Sequence, residues 1–140
     1  MKNLLTVMVS GILFLTMGCA STDGGNTGAV QRQPSIYDAP YHREYAQSLI
    51  ICSYQAGDIT GELNAVVAGS LDRIDLHEKF DRIEHNRRLH MERVVEFLER
   101  ALDDGYVTQD YVEKQTMQLF TNQLNFLMIL QSYRERYPLQ

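Results

Sequence analysis

Residues 76–101 read LHEKFDRIEHNRRLHMERVVEFLERA, and their spacing decides the fold. Leu76, Phe80, Ile83, Arg87, Met91, Val94, Leu98 and Ala101 follow at intervals of four, three, four, four, three, four and three. That is one stripe down an α-helix, with Glu78, His85, Glu92, Glu96 and Glu99 on the far side. Glu78–Arg82, Glu84–Arg88 and Glu96–Arg100 are i,i+4 pairs with the acid N-terminal, each worth about 0.2–0.5 kcal/mol. Ser70 can cap this helix, and Asp103-Asp104-Gly105 ends it in a turn, so it covers about 71–104.

Downstream, Thr108 can cap a second long helix over about 109–137, stopped by Pro138. Its apolar arc is wide: Val112, Leu119, Phe120, Leu124, Phe126, Leu127, Met128, Ile129 and Leu130. Such a helix is expected to touch two neighbours, with Leu98, Leu119 and Leu127 deep in the contacts. Upstream, Asp38 is the expected N-cap of a first helix, with Pro40 in its first turn. Tyr45, Leu49, Cys52 and Ala56 form its stripe, Gly57-Asp58 interrupts, and Ile59, Leu63, Val66 and Val67 carry a further stretch to Gly69. No period-two segment occurs. The expected fold is all-α: an elongated bundle in which a long antiparallel hairpin carries a broken first helix along it.

The chain has 140 residues, enough for one domain. Residues 1–18 read as a signal peptide: Lys2 supplies a charge, and 4–17 is an uncharged, mostly apolar run. As a helix that run is about 21 Å long, too short for a ~30 Å hydrocarbon core. Leu15-Thr16-Met17-Gly18-Cys19 resembles the lipobox of bacterial lipoproteins. The resemblance implies cleavage before Cys19 and acylation of that residue with palmitate-type chains, and so a membrane-anchored lipoprotein. Ala20, in place of an Asp that favours inner-membrane retention, implies the periplasmic face of the outer membrane, or the cell surface. Residues 19–37 are read as the lipidated Cys and a flexible Gly/Ser/Thr/Asn-rich linker, and 38–140 as the helical domain.

Net charge is −5 with no basic run, which disfavours nucleic-acid binding. Two cysteines, one of them assigned to lipid, make neither a disulfide framework nor a structural zinc site. Cys52 on an apolar stripe reads as a small buried hydrophobe; exposed, it would suggest an intermolecular disulfide. His77, Asp81 and His85 stand at i, i+4 and i+8, but the helix turns them through about 80° and spreads them over about 12 Å, so a charged surface explains them better than a metal. No phosphate loop, nucleophile elbow or catalytic triad pattern is present, so no catalytic residue, cofactor or metal is expected.

Arg87 interrupts its apolar stripe beside His90, and antiparallel pairing places it opposite residues 123–126, where Gln123 also interrupts an apolar face. Arg87, His90 and Gln123 are therefore candidates for a polar layer that sets helix register, or for a groove that receives a partner's polar group. Tyr37, Tyr41, Tyr45, Tyr106 and Tyr111 are expected at one end of the rod, as a candidate partner or membrane-facing surface or as a cap on the core. The function these features favour is that of an envelope lipoprotein whose helical domain binds another envelope protein. By analogy of size and address alone, it is adapter-like, pilotin-like or immunity-like. The alternative is a periplasmic ligand- or metal-sensing bundle. Oligomeric state is left open.

Overall fold

The computed structural model describes residues 32–139. The signal peptide, Cys19 and the linker as far as residue 31 lie outside the described residues. The described chain is all-α: α1 spans His42–Cys52, α2 Ala56–Gly69, α3 Arg73–Asp103 and α4 Gln109–Arg136, with a 3-10 turn at Ile36–Asp38 ahead of them. No strand occurs among the described residues.

α3 and α4 form the antiparallel hairpin. At its turn, Gly105 adopts φ +77°, a left-handed conformation that favours glycine. The Tyr106 N–H donates to the Ala101 carbonyl at 2.8 Å and the Gly105 N–H to that of Leu102 at 3.1 Å, so two orphan carbonyls at the end of α3 are satisfied. Thr108 Oγ1 accepts from the Tyr111 N–H at 3.3 Å and starts α4, as its sequence position suggests. α1 lies mainly on α3, while α2 lies across α3 and α4.

Element starts depart from expectation where several cap residues compete. Asp38 does not cap α1; its carboxylate accepts from the Ser35 N–H at 2.9 Å and the Ser35 hydroxyl at 3.1 Å, closing the 3-10 turn. The domain accordingly begins before residue 38: Ile36, placed in the linker by composition, is buried in the core. The break between α1 and α2 falls at residues 53–55, and Gly57-Asp58 lies inside the first turn of α2, where Asp58 reaches back to the Gln55 N–H at 3.3 Å. Asp72, not Ser70, caps α3, accepting from the Asp75 N–H at 2.8 Å.

The apolar interior is divided. One core joins Ile36, Ala39, Tyr41, Tyr45 and Cys52 to Val94, Leu98, Ala101 and Leu119. The other joins Ile59 and Leu63 to Leu76, Phe80, Phe126, Leu130 and Tyr133. Leu98 and Leu119 are buried as expected, but Leu127 is not. α1 and α2 cover only one side of α4, and Leu127 falls at the edge of that cover.

Candidate functional site

Arg87 sits on α3 in the gap between the two cores and is only 4% exposed. α1 ends opposite it. The last carbonyls of a helix lack intrahelical donors and carry the negative end of its dipole. Arg87 supplies both needs: Nη1–H donates to the Ile51 carbonyl and Nη2–H to the Cys52 carbonyl, each at 2.8 Å. Its guanidinium lies 4.8 Å from the Phe126 ring centroid, a cation–π contact. Burial lowers the Arg87 pKa from its ordinary value. Arg87 does not pair with Gln123, which is half-buried on α4: Nη1 and Nη2 go to α1, and the buried Nε has no partner. The physical reason is that two fixed carbonyls at a helix end outcompete one amide for a planar fork of donors.

The neighbouring groups follow. His90 Nδ1 lies 3.1 Å from the buried Ser48 hydroxyl, a second tie between α3 and α1. Cys52 is buried, with its Sγ 3.9 Å from the Arg87 carbonyl. Burial pushes its thiol pKa up to about 11. Arg87 also lines a cavity of about 340 Å³ together with Tyr54, Glu62, Asn86 and Phe126.

The histidine series on α3 is dispersed among separate contacts. His77 Nε2 meets the Tyr137 carbonyl at 2.6 Å, Asp81 Oδ1 accepts from Arg134 Nη2 at 2.8 Å, and His85 Nδ1 lies 3.3 Å from Arg88 Nη2. No group of three His, Cys, Asp or Glu side chains among the described residues is arranged around a metal-sized space.

The five tyrosines do gather where the chain enters the domain, but they are mostly not a surface. Tyr45 is fully buried and Tyr41 nearly so, while Tyr106 and Tyr111 are half-buried and Tyr37 is exposed. Tyr41 stacks on Phe97 at 5.6 Å, meets Tyr106 edge-on at 6.5 Å and donates its hydroxyl to Asp104 at 3.1 Å. Arg100 lies over its ring at 4.4 Å. The Tyr45 hydroxyl faces Tyr111 without reaching hydrogen-bond geometry. Tyr41 and Tyr45 are thus struck from the candidate surface, because the turn at Gly105 folds Tyr106 and Tyr111 over them.

A different surface is left open. Met117, Phe120, Leu124, Leu127 and Met128 form a solvent-facing stripe on α4, each 36 to 72% exposed. At 100° per residue its centre is about 140° around the helix from the core-facing residues Leu119, Phe126, Leu130 and Tyr133. Leu124, Leu127 and Met128 also line a groove of about 530 Å³ with Glu84 and Arg134 on its wall. Arg134 is clamped there by Asp81 at 2.8 Å and Glu84 at 2.9 Å. The stripe's signal in sequence is a run without charge: residues 115–133 contain no Asp, Glu, Lys, Arg or His. The wide apolar arc alone suggests two neighbours; α4 has α2 and α3, and still leaves this arc bare. Among the described residues no helix is long and apolar enough to cross a membrane. No protein-family model, curated protein or solved structure matches the chain.

Proposed function

We propose that this chain is an envelope lipoprotein, anchored through Cys19 at the periplasmic face of the outer membrane, whose helical domain acts by binding another polypeptide. The address is supported by the apolar run at 4–17 and the lipobox-like residues 15–19. The binding role is carried by one observation: the five-residue apolar stripe on α4, exposed on a segment without a charge. Contiguous apolar surface of this kind marks interaction sites in soluble domains. The adapter-like, pilotin-like and immunity-like readings all belong to this class. The sensing alternative rests on a smaller feature: Arg87 gives Nη1 and Nη2 to α1 and keeps a buried Nε without a partner beside the cavity at Tyr54 and Glu62.

Two measurements test the reading. Labelled palmitate should mark the wild-type chain and not Cys19→Ser; equal labelling removes the lipoprotein assignment. A photo-activatable side chain at position 124 should crosslink to a polypeptide in living cells, whereas one at position 89, on the opposite side of α3 from the core stripe, should not. Equal yields at the two positions remove the docking role.

A further inference from the structure

We infer that the cavity at Arg87 binds a free α-amino acid with an apolar side chain, its carboxylate on Arg87 and its ammonium on Glu62. Within about 340 Å³ the cavity brings together a guanidinium, a carboxylate and an apolar wall. That volume is at the lower end of small-molecule sites and suits one amino acid rather than a peptide. The cavity shares no residue with the groove under the α4 stripe, so the inference goes beyond the docking reading and does not depend on it.

The Arg87 end lacks an anion. Arg87 is 4% exposed, yet it belongs to none of the ion pairs among the described residues. Its acceptors, the Ile51 and Cys52 carbonyls, carry only the partial charge of a helix end. They use two of its five N–H donors, and the buried Nε is left without an acceptor. A buried cation with an unmet donor is costly. A carboxylate answers both needs, because it accepts from two guanidinium nitrogens at once.

The opposite charge stands in the same cavity. Glu62 is exposed on α2, lines the cavity, and makes no ion pair with Arg87 or with any other described residue. Its charge still reaches Arg87, where it opposes the lowering of the pKa by burial. Two opposite charges that border one cavity without pairing match a zwitterion. A plain carboxylic acid would be repelled by Glu62, and a plain amine by Arg87. Ile51, Ile83 and Phe126 supply the apolar wall, against which an aliphatic or aromatic side chain leaves water.

The test is calorimetry on the full chain purified in detergent, with L-leucine, L-methionine and L-phenylalanine as probes. At least one should bind with one-to-one stoichiometry. Its amide, which lacks the carboxylate, and its des-amino analogue, which lacks the ammonium, should each bind at least tenfold more weakly. Glu62→Gln changes an exposed side chain and should leave the thermal melt unmoved. It should weaken the amino acid at least tenfold and abolish the preference over the des-amino analogue. Arg87 also holds α1, so the carboxylate contact is read from the amide on the wild-type chain rather than from an Arg87 variant. Absence of binding by all three amino acids at millimolar concentration overturns the inference. Equal affinity of wild type and Glu62→Gln, or an amide or des-amino analogue as tight as the amino acid, overturns it as well. Photo-crosslinking from position 124 reads the docking role separately, so either reading can fail alone.

Discussion

At the scale of single residues, Arg87 satisfies the end of α1 where the rod of helix breaks. A guanidinium between two apolar cores needs acceptors, and the end of α1 provides two at 2.8 Å. Arg87→Ala strands both carbonyls and opens a gap under Phe126, so it should lower unfolding free energy by about 2–4 kcal/mol in a denaturant titration. Arg87→Lys should recover only part of that, because one ammonium cannot present the same planar fork. Gln123→Leu, outside this hydrogen-bond set, should stay within about 1 kcal/mol of wild type. Cys52 makes a pH prediction of definite sign. Its thiol is raised from an ordinary 9.0 to about 11 in the folded chain. Between those values the unfolded state binds fewer protons than the folded state, so stability falls as pH rises through the window. Tyr41 and Tyr45, both raised by burial, extend the fall to higher pH. Cys52→Ala should flatten the first part of a stability–pH curve measured from pH 8 to 10; an unchanged slope would mean that the thiol titrates normally.

At the scale of elements, legibility in the sequence follows how many independent signals agree. α3 is plain because a long 3-4 stripe, outward acid–base pairs and a Gly-containing stop all point the same way, and α4 is plain because Thr108 and Pro138 bracket it. The starts of α1 and α3 are not, because Ser35, Asp38, Ser70 and Asp72 are all chemically fit to cap, and only the tertiary path chooses among them. The polar level at Arg87 is legible as an interruption of a stripe. Its partner is not, since backbone carbonyls carry no residue code. The α4 arc misleads for a related reason: apolar pattern tells how much of a helix avoids water, not which partner covers it. That distinction can be measured. Leu98→Ala and Leu119→Ala should each cost about 2–5 kcal/mol, while Leu127→Ala, half out of the core, should cost less than about 1 kcal/mol. Equal losses at all three positions would place Leu127 in the core after all.

At the scale of the described domain, the divided interior sets how it opens. α1 and the 3-10 turn close one core with Ile36, Ala39, Tyr41, Tyr45 and Cys52, whereas α2 closes the other with Ile59 and Leu63 as its fully buried side chains. α1 is further pinned by Arg87 and by His90 through Ser48. Across the interface, α2 has the Tyr133 hydroxyl donating to Asn64 at 2.7 Å and a longer contact to the Thr60 carbonyl at 3.4 Å. Segments with fewer buried apolar contacts open first and exchange amide hydrogen at lower free energy. Native-state hydrogen exchange should therefore show α2 opening in a sub-global step below the one that releases α1. Phe80 lies in the α2-side core, edge-on to Tyr133 at 6.2 Å, and is fully buried. Phe80→Ala removes about 3–5 kcal/mol of packing from that core. Its effect should appear as lost protection in α2 and the C-terminal half of α4 before any loss in α1 or at the tyrosine end. Uniform loss across all four helices would show that continuous α3 and α4 couple the two cores into one cooperative unit. In that case Arg87 would serve as the joint through which they unfold together.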